Sequence, residues 1–134
     1  IYPHIEILTK DARNILSETV SLKNMVQQSS NLASFIIACH NADFDLLSRC
    51  MEDVVIEPQR AKLIPHFYDV KNAALSQGAF GCSISGAGPS IFALSPNSFV
   101  AENVANTMQK VFSDNKIESD LFVSEINQEG VYKC

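Results

Sequence analysis

The stretch Ser83-Ile84-Ser85-Gly86-Ala87-Gly88-Pro89-Ser90-Ile91-Phe92-Ala93-Leu94 constrains this chain more than any other. Two short apolar runs flank a Gly-Ala-Gly-Pro turn, and three of the five glycines (Gly81, Gly86, Gly88) fall within eight positions. Such a turn either reverses the chain between two strands or brings bare backbone close to a ligand. Its N–H groups can converge on an anion. It lacks the Gly-Lys-Ser/Thr of a phosphate-binding P-loop and the three-glycine dinucleotide fingerprint. Four residues are more than a minimal hairpin needs, and Pro89 removes a ladder donor. Hairpin and anion site both stand as readings.

The remaining pattern sets the fold class. Ile5–Leu8 reads as a short strand. Thr9 is placed to cap a helix running to about Leu16, with Asp11 in its first turn. Ser21 caps a longer helix, in which Leu22, Met25, Val26, Ser29, Leu32, Ala33, Ile36, Ile37 and His40 recur at 3–4 spacing and form one apolar face. Asn41-Ala42-Asp43 breaks it, and Asp43 caps a helix that aligns Phe44, Leu47 and Met51. Pro58 suits a first turn. Pro65 starts a helix with Phe67, Val70 and Ala74 as its buried stripe, and Gly78 ends it. Strand Phe80–Ser85 leads through the glycine turn to Ser90–Leu94, whose apolar faces mark a central strand. Pro96-Asn97-Ser98 opens a helix with Val100, Val104, Met108, Val111 and Phe112 inward, and the last strand is expected at Ile117–Ile126. Reduced to one helix in the middle, the order is β-α-β-β-α-β. That predicts an α+β, ferredoxin-like split βαβ sandwich with extra helices between the first and second strands.

A length of 134 residues suits one domain, 1–134. Hydrophobic residues at 46% and charged residues at 19% indicate a globular chain. The net charge of −5, without a basic cluster, argues against nucleic acid. It leaves room for an anionic metabolite, which one or two arginines can hold. No apolar run reaches the roughly 18 residues of a membrane span, and no signal peptide is present, so the reading is cytoplasmic with no membrane partner. Ile1-Tyr2-Pro3 reads as the interior of a longer protein. Cys39, Cys50, Cys82 and Cys134 form no Cys-x-x-Cys pair and lie at no metal-ligand spacing from His4, His40 or His66. No metal site is expected, and Cys39, Cys50 and Cys82 are read as core thiols.

Two arginines stand out. Arg13 falls in the expected first turn of its helix, where a cation opposes the helix dipole. It reads as solvated, or as a partner of Asp11 or Glu18. Arg60 follows Val54-Val55-Ile56-Glu57-Pro58-Gln59 near a helix start. It reads as a salt-bridge partner of Glu57, or as a planar fork for a carboxylate. The histidines read as structural or solvated, and Glu52-Asp53 and Asp43/Asp45 as solvated faces.

Three segments together resemble one family. Thr9-Lys10-Asp11-Ala12-Arg13 resembles the S-T-x-x-A-R element of homoserine kinases. Met51-Glu52-Asp53-Val54-Val55-Ile56-Glu57-Pro58-Gln59-Arg60 resembles their M-x-D-x-x-x-E-P-x-R element. Ile84-Ser85-Gly86-Ala87-Gly88-Pro89-Ser90 is similar to their I-S-G-S-G-P-[ST] loop, a signature of the wider GHMP small-molecule kinases. The resemblance runs from the first strand to Gly130. It implies an enzyme that transfers the γ-phosphoryl of ATP to the hydroxyl of L-homoserine, in threonine synthesis. It further implies that Arg13 and Arg60 hold the substrate carboxylate while Gly86, Ala87 and Gly88 close over the substrate and phosphate region. Ala87 replaces the common serine, which removes a hydroxyl, and Thr9 stands where serine is usual. The family's P-x-x-x-G-L-G-S-S-A nucleotide loop is not in this sequence. ATP and Mg2+ are therefore expected to be held mainly by an absent N-terminal domain, no catalytic residue is assigned here, and the fragment alone is expected to be inactive. The expected partners are L-homoserine and ATP in the full-length enzyme, with a homodimer left open. The alternatives are another GHMP kinase, for mevalonate, a sugar or an isoprenoid precursor, or a non-catalytic module that binds an amino acid as a signal.

Overall fold

The computed structural model describes residues 1–130. Along the chain run β1 (Tyr2–Pro3), α1 (Thr9–Asn14), α2 (Leu22–Asn41), α3 (Phe44–Cys50), α4 (Glu57–Arg60), a 3-10 turn (Ala61–Leu63), α5 (Phe67–Ser76), β2 (Gly81–Ile84), β3 (Ile91–Leu94), α6 (Ser98–Asp114) and β4 (Ser119–Asp120). The architecture is a mixed α/β domain with two small antiparallel sheets. In one, Tyr2 lies opposite Asp120 and Pro3 opposite Ser119. In the other, β2 and β3 pair from Gly81↔Leu94 to Ile84↔Ile91. Ile1 links the two. Its backbone nitrogen donates to the Ile91 carbonyl at 2.8 Å, and the Ile91 N–H donates back to the Ile1 carbonyl at 2.9 Å.

The local signals account for most boundaries. The Ser21 hydroxyl accepts from the Asn24 N–H, the Asp43 carboxylate from Leu46, and the Asn97 side chain from Val100, so three predicted caps are in place. Ala42 and Gly78 take the left-handed backbone that ends α2 and follows α5. Phe67, Val70 and Ala74 of α5 pack with Cys82 and Ile91 of the hairpin and with Val104, Met108 and Phe112 of α6. This is the main core, and it fixes the hairpin's base. A smaller cluster joins Ala38 of α2 to Leu47 and Cys50 of α3, with Met51 and Phe80 against it. Gly81 is required there, because a Cβ at that position would lie 2.5 Å from the Met51 Cβ.

Several expectations are corrected. The first strand is Tyr2–Pro3, not Ile5–Leu8. The Ile5 N–H turns back to the Pro3 carbonyl at 2.7 Å, and Ile5 and Ile7 then pack against the core without strand pairing. Thr9 is the first helical residue, and Leu8 occupies the cap position without a side-chain bond. The last strand is Ser119–Asp120, paired with Tyr2–Pro3, and not Ile117–Ile126. The apolar face expected on α2 is present, and in this chain it is exposed at Leu22, Met25, Val26, Leu32, Ile36 and Ile37, while Asn31 and Ala38 are buried. Cys39 is exposed on the same helix, so of the three expected core thiols Cys50 and Cys82 are buried and Cys39 is not. Burial pushes the Cys82 thiol up to about 12.

Candidate functional site

The glycine turn closes an antiparallel hairpin. The Ser85 N–H donates to the Ser90 carbonyl at 2.8 Å, and the Gly88 N–H to the Ser85 carbonyl at 3.0 Å. Gly86 and Gly88 have φ of +59° and +84°, which explains glycine at both positions, and the Gly88–Pro89 peptide is cis. The N–H groups of Gly86 and Ala87 have no acceptor among the described residues. The tip thus presents two uncommitted donors.

Arg60 reaches this tip. It is the last residue of the four-residue α4, so it stands at a helix end and not near a start as expected. Its Nε donates to the Ala12 carbonyl at 3.2 Å, and its Nη1 donates to the Gly86 carbonyl at 2.6 Å. A single guanidinium therefore ties the end of α1 to the glycine turn. Two of its five N–H donors are used, and three remain. The side-chain amide oxygen of the neighbouring Gln59 accepts from the Ser17 N–H at 2.7 Å, which fastens the same corner a second time.

The expected Arg60–Glu57 pair does not form. Glu57 is buried, at 4% exposure. One carboxylate oxygen accepts from Lys71 Nζ at 2.5 Å and the other from the Ser83 hydroxyl at 2.7 Å. Asp53 is not a solvated acid either. Its carboxylate accepts the N–H groups of Val55, Ile56 and Glu57 at 2.9, 2.8 and 3.2 Å, and so holds the turn that leads into α4. Asp53, Ile56, Glu57, Arg60, Ser83, Ile84 and Gly86 line a cleft of about 240 Å³. Arg60 is the one cation on its wall.

Arg13 follows Ala12, whose carbonyl Arg60 holds, so the two arginines belong to one corner. Arg13 is exposed and sits in the last turn of α1, where a cation suits the helix dipole. The helix has only six residues, which moves Arg13 from the expected first turn to the last. Among the described residues, neither Arg13 nor Arg60 lies within 4.0 Å of a carboxylate. Arg60 and the Gly86–Gly88 turn are brought together, whereas Arg13 makes no bond to them among the described residues and does not line the cleft; it adjoins the corner only through the Ala12 carbonyl that Arg60 holds. Sequence reasoning missed Lys71, Ser83 and the true role of Asp53. One signal was available: Glu57 directly follows the apolar run Val54-Val55-Ile56, which favours burial of its carboxylate.

The fold and cleft define a small α/β domain that offers an uncompensated guanidinium and free turn amides to a small anion. A family model described as "GHMP kinases C terminal" matches residues 35–114, and the chain belongs to that family. The homoserine kinase of Chlorobium phaeobacteroides strain BS1 is 45% identical over 132 residues, covering 97% of this chain and 41% of the relative. That of Xanthomonas campestris pv. campestris strain B100 is 39% identical over 127 residues, covering 95% of this chain and 39% of the relative. The crystal structure of homoserine kinase from Cytophaga hutchinsonii superposes with a TM-score of 0.92 at 48% identity, over 94% of this chain and 40% of that one. The chain thus spans about two fifths of the length of the relatives it matches.

Proposed function

We propose that this chain is the C-terminal, substrate-recognising domain of an ATP-dependent homoserine kinase, with Arg60 and Arg13 binding the L-homoserine carboxylate. The observation that carries the reading is Arg60. Its guanidinium is aimed by two carbonyls, has no carboxylate within 4.0 Å among the described residues, and borders a cleft sized for a small amino acid. A guanidinium can grip a carboxylate with two parallel hydrogen bonds. The spare N–H groups of Gly86 and Ala87, with Gly88 shaping the turn, suit the phosphate side of the same pocket.

In this reading the chain contributes position. A substrate held at its carboxylate end keeps its hydroxyl in line with the γ-phosphoryl group, and phosphoryl transfer depends mainly on alignment and charge stabilisation. The cleft offers no free carboxylate for Mg2+, because Asp53 and Glu57 are both committed within the protein. Metal-bound ATP would take its main ligands from the part of the kinase that the relatives have and this chain does not span. Ile1 touching β3 while β1 pairs with β4 supports a ferredoxin-like order β4-β1-β3-β2. Free thiols at Cys39, Cys50 and Cys82 suit a reducing cytoplasm.

The test is Arg60→Leu in the full-length kinase. Loss of one partner of a carboxylate pair should lower kcat/KM for homoserine by roughly 2–5 kcal/mol of transition-state binding. An unchanged kcat/KM would remove the carboxylate role.

A further inference from the structure

Glu57 and Lys71 form the one ion pair among the described residues with both side chains largely buried, at 4% and 14% exposure. The carboxylate-binding reading gives this pair no task. A buried pair is weak evidence for stability, since apolar side chains of similar size often serve as well, and its best-supported use is to fix one arrangement over others. The arrangement here is specific. Glu57 opens α4, Lys71 lies on α5 and Ser83 on β2. The two carboxylate oxygens therefore hold the start of α4 to two other elements at once. Asp53 fixes the backbone leading into it. A helix of four residues is too short to hold its own direction. Arg60 lies at its other end, about 4.5 Å along the axis at 1.5 Å per residue.

We propose that Glu57, together with Lys71 and Ser83, is a positioning residue for Arg60, and that this triad sets how strongly the kinase recognises the carboxylate end of its substrate. Glu57 borders the cleft, but its side chain is buried and each oxygen already accepts a bond that ties α4 to α5 or β2, so its task runs through Arg60, and direct contact with the substrate ammonium is the outcome that would overturn the proposal. The proposal rests on Arg60 as the carboxylate-binding group.

The experiment compares kcat/KM for L-homoserine and for 3-amino-1-propanol in the full-length kinase. The second substrate keeps the ammonium and hydroxyl and lacks the carboxylate. Glu57→Gln and Lys71→Met should each lower the homoserine-to-aminopropanol ratio by about 10-fold or more, since small misplacements of a binding group can cost up to ~100-fold. The KM for ATP should stay within about 2-fold. Ser83→Ala removes one hydrogen bond to the Glu57 carboxylate without removing a charged side chain, and should lower the ratio by about 3-fold. It carries the test if a charge variant does not fold. Equal losses on both substrates would overturn the proposal, because Glu57 would then contact the ammonium or act only through stability. An unchanged ratio in Glu57→Gln and Ser83→Ala, with Arg60→Leu collapsing it, would overturn the positioning role alone. If Arg60→Leu leaves the ratio intact, the carboxylate-binding reading fails and takes this proposal with it.

Discussion

Helices α2 and α4 use their residues in opposite ways. α2 has twenty residues and a clear apolar stripe, yet that stripe faces outward. Its inward line includes Gln28, Asn31 and Ala38. The Asn31 side chain donates to the Glu52 carbonyl at 2.8 Å, and the Gln28 side chain accepts from the Val54 N–H at 2.9 Å. The segment between α3 and α4 has no ladder or helix to satisfy its backbone, so the polar line of α2 serves it. α4 has four residues and no amphipathic pattern, yet Asp53, Lys71, Ser83 and the carbonyls of Ala12 and Gly86 hold it from several directions. Periodicity reveals that a helix has two faces. Here the line that turns toward the α3–α4 segment is the one whose side chains satisfy its backbone.

This contrast predicts a ranking of effects on stability, read by urea unfolding. Lys71→Met leaves the buried Glu57 carboxylate without its cation and should cost about 3–5 kcal/mol. Asn31→Ala strips the Glu52 carbonyl of its donor and should cost about 1–2 kcal/mol, whereas Ile36→Ser on the outward stripe should change stability by less than ~0.5 kcal/mol. A larger loss for Ile36→Ser than for Asn31→Ala would reverse the assignment of the two faces.

The smallest effect is a pH dependence at the β1–β4 pair. The His4 ring bonds Asp120 at 3.0 Å and lies 3.6 Å from Glu118. The Asp120 bond raises its pKa above the ordinary 6.5. The protonated ring is the form that gains in the folded state. Its contribution is therefore complete below pH 6.5 and fades as pH rises through the raised value. NMR titration of His4 should show the upward shift, and Asp120→Asn should return it toward 6.5. A titration at or below 6.5 in the unaltered chain would remove the link.

What was legible in the sequence was local. The Ser21, Asp43 and Asn97 caps, the Gly78 stop and the hairpin around Gly86–Pro89 each follow from a few adjacent residues. The corner around Arg60 was not legible in the same way. The Ala12 carbonyl lies 48 positions away and Gly86 lies 26 away, so only the folded chain brings them together. Sequence proximity pairs Glu57 with Arg60, whereas its cation in space is Lys71, 14 positions on. The family resemblance selected Arg13, Arg60 and the glycine turn where residue chemistry alone left them open, because three motifs in order carry more information than any one of them.

The most direct test is the substrate preference of Arg60→Leu in the full-length kinase. The account predicts that kcat/KM for L-homoserine falls by about 30-fold or more, equivalent to ~2 kcal/mol, while kcat/KM for 3-amino-1-propanol stays within about 3-fold. Equal loss on both substrates, or no loss on homoserine, would contradict it.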